Sequence, residues 1–164
     1  AYNGHATPWH QDGQYWPIRP LATCTVWLAV DDANEENGCL KFIRGSHRDK
    51  NLKQHEFNEN KNLTLHQELL KSEFNEKESV NLILKRGQIS LHDVYLVHGS
   101  DANLSSKSRR GMTMRFMPTT SVFDHNLAKE KYNNLNVSKY SNRKIYLARG
   151  YDKSKRNNLE VVNF

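Results

Sequence analysis

The stretch TPWHQDGQYWP, residues 7–17, limits what this chain can fold into more than any other. It sets an imidazole, His10, two positions before a carboxylate, Asp12, and surrounds the pair with Trp9, Tyr15 and Trp16. On a strand, residues i and i+2 face the same way, so an extended backbone presents both side chains together. An ionisable pair among aromatics is costly to bury unless something satisfies it. The fold must leave that face wet or give the pair a partner. A metal is one such partner, but H-x-D tripeptides are common by chance, and two ligands leave an octahedral ion half-coordinated.

The rest of the chain reads as short strands separated by turns. TCTVWLAVDD (23–32) is β-branched and aromatic, and GCLKFIRGS (38–46) alternates, with the turn-rich DDANEENG between them. Strand signals return in SVNLILKRGQISLHDVYLVHGS (79–100), which carries a glycine turn at 87, and in RGMTMRFMPTT (110–120). A last candidate is RKIYLARG (143–150). Residues 47–79 form a polar excursion with at most a short helix near 65–74; long excursions of this kind often act as lids or binding loops. A chain of 164 residues suits one domain over 1–164, and this pattern predicts a mainly β antiparallel sandwich or barrel.

The second half offers a third ligand. His98 ends an apolar run, is followed at once by Gly99 and Ser100, and after a polar loop Arg109 opens the next strand. Two histidines and a carboxylate on one face, with other positions open, is the arrangement of non-haem Fe(II) oxygenases. An arginine nearby adds a planar fork for a carboxylate. Zinc or nickel would also bind such a set, since iron is not its tightest occupant.

WHQDGQYWPIRP, TVWLAVDDANEENGCLKFIRGSHR and HGSDANLSSKSRRGMTMRFMP together resemble the phytanoyl-CoA dioxygenase family of Fe(II)/2-oxoglutarate oxygenases, over about residues 7–120. The resemblance implies a double-stranded β-helix, a jelly-roll or cupin-like barrel, in a chain lacking its N-terminal portion, where the family holds further cosubstrate contacts. It implies iron ligands at His10, Asp12 and His98, and 2-oxoglutarate contacts at Trp27, Ser100 and Arg109. The implied reaction consumes O2 and 2-oxoglutarate, releases succinate and CO2, and hydroxylates an unactivated C–H bond of a small molecule. Asp12 favours hydroxylation, because related halogenases carry a small residue there. The alternative is a jelly-roll protein of the same family that binds metal or ligand without turnover.

Several residues have competing readings. Arg109 shares a strand face with Gly111, Thr113 and Arg115, and Arg110 shares one with Met112, Met114 and Phe116. Pattern alone would bury the Met face and leave Arg109 in water; the family spacing selects Arg109, with Arg110 as the alternative. Tyr15, Trp16, Arg19, Arg44 and His47 are candidate substrate contacts. His92 reads as structural, since its neighbour Asp93 points to the opposite face. His5, His55, His66 and His125 show no partner pattern and are expected at the surface.

Basic residues outnumber acidic ones, 24 to 18, but they are scattered and no nucleic-acid motif frames them. The balance favours anionic ligands and allows an acidic or CoA-linked substrate. No apolar run approaches the roughly 20 residues needed to cross a bilayer. Cys24 and Cys39 lack metal-type spacing, and no secretory signal is visible, so free thiols in a cytoplasmic protein are expected.

Overall fold

The computed structural model describes residues 4–135 and 139–160. In chain order the strands are β1 (Thr7–His10), β2 (Ile18–Arg19), β3 (Cys24–Ala29), β4 (Leu40–Ile43), β5 (His55–Phe57), β6 (Gln67–Leu69) and β7 (Ser79–Leu82). There follow β8 (Ile89–Asp93), β9 (His98–Ser100), β10 (Gly111–Phe116) and β11 (Val122–Phe123). The helix α1 (His125–Leu135) then precedes β12 (Ile145–Tyr146) and β13 (Leu159–Glu160). The runs rich in Val, Ile, Leu and aromatic residues are the ones that become strands, because such side chains fit a pleated, half-buried surface.

Two antiparallel sheets carry the architecture, one ordered β1-β9-β4-β7 and the other β10-β3-β8. The chain passes repeatedly from one sheet to the other, as a jelly roll does: β1 and β4 lie in the first, β3 between them in the second, and β8, β9 and β10 alternate again. Gly87, at φ +86°, makes the turn from β7 to β8, a conformation that costs glycine little. This is the mainly β, jelly-roll fold expected.

Cross-strand partners share a face, so the register of the second sheet defines its inner surface. Arg115 pairs with Thr25 and Thr25 with His92; Thr113 pairs with Trp27 and Trp27 with Ser90. Thr25, Trp27 and Ala29 are buried, whereas Cys24 on the other face is exposed. Met112, Phe116, Ile89 and Leu91 lie on that outer face and are exposed as well. The hydrophobic pattern of β10 therefore misleads: its Met face is outside. The physical reason is that the inner face holds a carboxylate, and so must be polar.

Three apolar clusters support this frame. Trp16, Ile18, Val94, Phe123 and Ala128 join α1 and β11 to the barrel end. Trp27, Ala29, Ala33 and Cys39 pack inside. Ile43, Leu69 and Val97 tie β6 to the first sheet. The polar excursion is thus anchored along 67–69. In place of the short helix expected near 65–74 it has β6 and a 3-10 turn at Lys71–Glu73. The helix lies instead at 125–135, where residues too polar for a core turn only Ala128 fully inward. The candidate strand at 143–150 shortens to Ile145–Tyr146.

The inner face leaves no room at Gly111, where an added Cβ would sit 2.2 Å from Trp27 Cζ2. Gly111→Ala is expected to lower stability by about 1–3 kcal/mol through overpacking. Met112→Ala, on the outer face, should stay within about 0.5 kcal/mol. Urea denaturation of the two variants checks the assignment of faces.

Candidate metal centre

His10 is the last residue of β1, and its Cα partner across the ladder is His98, the first residue of β9. The register thus sets the two imidazoles side by side, with ring centroids 4.2 Å apart. Each Nδ1 faces a carbonyl two residues back, Pro8 O at 2.8 Å and Leu96 O at 2.9 Å. An Nδ1–H donated there leaves each Nε2 lone pair for a ligand, the usual way a metal-binding tautomer is fixed.

Asp12 lies just past the end of the paired strand, but Gln11 keeps an extended backbone (φ −116°, ψ 133°), so residues 10 and 12 share a side as expected. β1 ends at His10, and Asp12 opens a 3-10 turn, its carbonyl accepting from Tyr15 N and Trp16 N. Gly13 N donates to Val94 O and ties that turn to the barrel. His10, Asp12 and His98 are all buried, and their ligand atoms lie within 4.8 Å of one another. Gln11, between them, points away from the site and is fully buried. Its amide donates to Asn51 O and Tyr95 O and accepts from Lys53 N, which clamps the start of the excursion.

The row Arg115–Thr25–His92 of the second sheet converges on Asp12. Thr25 Oγ1 donates to Asp12 Oδ2 at 2.9 Å, Arg115 Nη2 approaches Oδ1 at 3.3 Å, and His92 Nε2 lies 3.7 Å from Oδ2. Burial by itself would raise the Asp12 carboxyl. The facing imidazoles of His10 and His92, with His98 and Arg115, outweigh it and hold the group well below the usual carboxylate range. Burial, followed by the neighbouring His10, pushes His98 down to about 3, so this imidazole is neutral and able to ligate at neutral pH. None of Thr25, Arg115 and His92 was singled out from the sequence as a site residue. The signal available was the polar alternation of β10 and β8, which is legible only once the inner face is known.

The remaining predicted residues fall into distinct places. Trp27 is buried on the inner face of β3, against Gly111. Ser100 Oγ and Arg109 Nε are buried without a hydrogen-bond partner among the described residues. Arg110 is exposed and forks Asp31 through Nε and Nη2, both at 2.8 Å. Arg44 and His47 line a cavity of about 290 Å³ that reaches His92 and His98. Trp16 lines a second, larger cavity. Tyr15 donates its hydroxyl to Gln67 O and packs edge-on to His10, and Arg19 is at the surface, bonded to Ile18 O; neither lines a described cavity. His55, expected at the surface, is half-buried, accepts from Gln11 N, and is lowered to about 4 by burial.

A double-stranded β-helix with two histidines and an ionised aspartate buried at one point is the frame of a 2-His-1-carboxylate metalloprotein. The chain belongs to the phytanoyl-CoA dioxygenase (PhyH) family, whose model matches residues 1–111. It is 33% identical over 120 residues to a phytanoyl-CoA dioxygenase domain-containing protein 1 homolog of Caenorhabditis briggsae, covering 70% of this chain and 41% of that protein. It is 30% identical over 114 residues to the peroxisomal phytanoyl-CoA dioxygenase of Homo sapiens, covering 66% and 32%. Among solved structures, EvdO2 from Micromonospora carbonacea var. aurantiaca complexed with 2-oxoglutarate aligns with a TM-score of 0.60 at 28% identity, over 71% of this chain and 46% of that one. The chain spans less than half the length of these relatives. No helix of the described residues is long and apolar enough to cross a membrane.

Two measurements test the site. His55 and His98 bind protons in the unfolded chain near pH 6.5 but in the fold only near 4 and 3, so stability falls as pH drops through that window. Thermal melts of the metal-free protein should show the midpoint falling between pH 7 and 5. Thr25→Val removes the donor to Asp12 and is expected to weaken divalent-metal binding by about 10–100-fold, read by calorimetry.

Proposed function

We propose that the chain carries the catalytic barrel of an Fe(II)- and 2-oxoglutarate-dependent dioxygenase that hydroxylates an unactivated C–H bond of a small molecule. The observation that carries this reading is the convergence of His10, Asp12 and His98, three buried ligands of the right chemical types, from β1, the turn after it and β9. His10 and His98 would hold the metal through Nε2 and Asp12 through a carboxylate oxygen. When bound, the iron couples the oxidative decarboxylation of 2-oxoglutarate, to succinate and CO2, to the transfer of oxygen from O2 into the C–H bond. EvdO2, the neighbour solved with 2-oxoglutarate, supports the same cosubstrate here.

The chain's own groups bind and orient. Ser100 and Arg109 are assigned to the far carboxylate of 2-oxoglutarate. In support, Ser100 Oγ and Arg109 Nε are buried without partners among the described residues, a state costly enough to call for one. Arg110 is the poorer choice because its guanidinium is already matched by Asp31. Trp27 is assigned as an apolar wall beside the cosubstrate. Arg44 and His47 are assigned to the substrate side, since their cavity reaches His98. Thr25, Arg115 and His92 keep Asp12 oriented and ionised, and Tyr15 and Trp16, buried where the turn ends, help exclude water.

Anaerobic addition of Fe(II) and 2-oxoglutarate should produce the weak visible absorption of a chelated complex. Asp12→Gly is expected to remove both the band and any succinate formation. Arg109→Ala should weaken 2-oxoglutarate binding by about 1.5–3 kcal/mol, the worth of a hydrogen bond to a charged group, with Arg110→Ala nearly unchanged. A protein without the band, or with the two arginine effects reversed, contradicts the assignment. A band without succinate, across candidate substrates, would mark a barrel that binds without turnover.

A further inference from the structure

The larger cavity, of about 620 Å³, includes in its lining Arg115, the side chain that contacts Asp12, but none of the three candidate ligands themselves. One wall is the edge strand β10, through Thr113, Arg115 and Phe116; the opposite wall is the segment 143–149. That segment lies beyond the residues matched by the family model. Arg115 belongs to both places, since its Nη2 contacts Asp12 and its guanidinium lies over the Trp16 ring, 4.7 Å from the centroid. Arg115 thus links the cavity lining to Asp12.

The charges lining it do not cancel. Of four cations, Arg115 is matched by Asp12 and Lys144 by Glu160 at 3.5 Å. Among the described residues no carboxylate pairs with Arg143 or Arg149. The single lining acid, Asp152, turns its oxygens to Ser154 and Asn157. Arg143 is held in place by stacking, 5.2 Å from the Trp16 ring and 4.9 Å from the Tyr140 ring. Stacking uses the flat face of a guanidinium and leaves the in-plane N–H fork for an anion. Thr23, also in the lining, keeps its hydroxyl buried and unpartnered among the described residues. The rest of the lining is largely apolar, including Ile18, Met117 and Leu147.

We propose that this cavity binds an organic anion, a carboxylate or phosphate carried on an apolar body, with Arg143 and Arg149 holding the charged end. That the anion is the substrate whose C–H bond is attacked rests on the oxygenase reading above; its binding does not. The segment 143–149 then sets specificity, by choosing which anionic molecules lie against Arg115, the neighbour of Asp12.

The test is calorimetric titration of the metal-free protein, in the absence of 2-oxoglutarate, with octanoate, octyl phosphate and octanol. At least one anion should bind on the order of tenfold more tightly than octanol, and the stronger of the two identifies the headgroup. Arg143→Gln and Arg149→Gln should each weaken that anion by roughly tenfold. Arg143→Lys keeps the charge but loses the stacked fork, so its affinity should fall between the parent and Arg143→Gln. Equal binding of octanol overturns the proposal. So does unchanged anion affinity in the double Gln variant. Failure of the Fe(II)–2-oxoglutarate band leaves these titrations untouched, so the two readings fail separately.

Discussion

A carboxylate with almost no solvent contact is the constraint around which this barrel is organised. Asp12 sits on a turn, 3% exposed, where an isolated charge would be far too costly to keep. The molecule answers with a complete row of one sheet. Thr25, Arg115 and His92 come from three strands, share one face by register, and reach the same two oxygens. The first sheet contributes His10 and His98 from the other side. The site is therefore the place where the two sheets are electrostatically joined, and the packing clusters around it hold that junction in shape.

This arrangement explains features that look anomalous singly. An arginine-bearing strand face points inward because an anion waits there, while methionine and phenylalanine stand outside. Gly111 is required because the Trp27 ring occupies the space a side chain would need. Gln11 is fully buried because a residue between two ligands that face the site must face the opposite way. There it finds backbone partners in the excursion and in the β8–β9 connection. The same turn that carries Asp12 delivers Trp16 to the stack of Arg115, Tyr140 and Arg143. Metal site and C-terminal segment are mechanically continuous through that stack.

Much of this was legible in the sequence, for local reasons. Strands announced themselves by β-branched and aromatic runs, and Gly87 by the turn it had to make. The ligand types were visible as well, because H-x-D and H-G-S stand out in otherwise ordinary segments. The failures share one cause. The helix at 125–135 carries too little apolar periodicity to be read, as only Ala128 is fully buried. His55 looked solitary because its partner, Gln11, is distant in the chain.

By itself, then, the sequence determined where strands form, which residue types could ligate a metal, and that His10 and Asp12 lie close together. Those properties depend on neighbours along the chain. Only the tertiary structure decided which face of β10 is inner and that Arg115, Thr25 and His92 converge on Asp12. It also decided that Arg110 is paired with Asp31, while Arg109 is half-buried and, among the described residues, in no ion pair. Alternation divides a strand into two faces but does not say which one meets the core. That choice is made by register between strands far apart in sequence, and here the need to satisfy one buried charge made it.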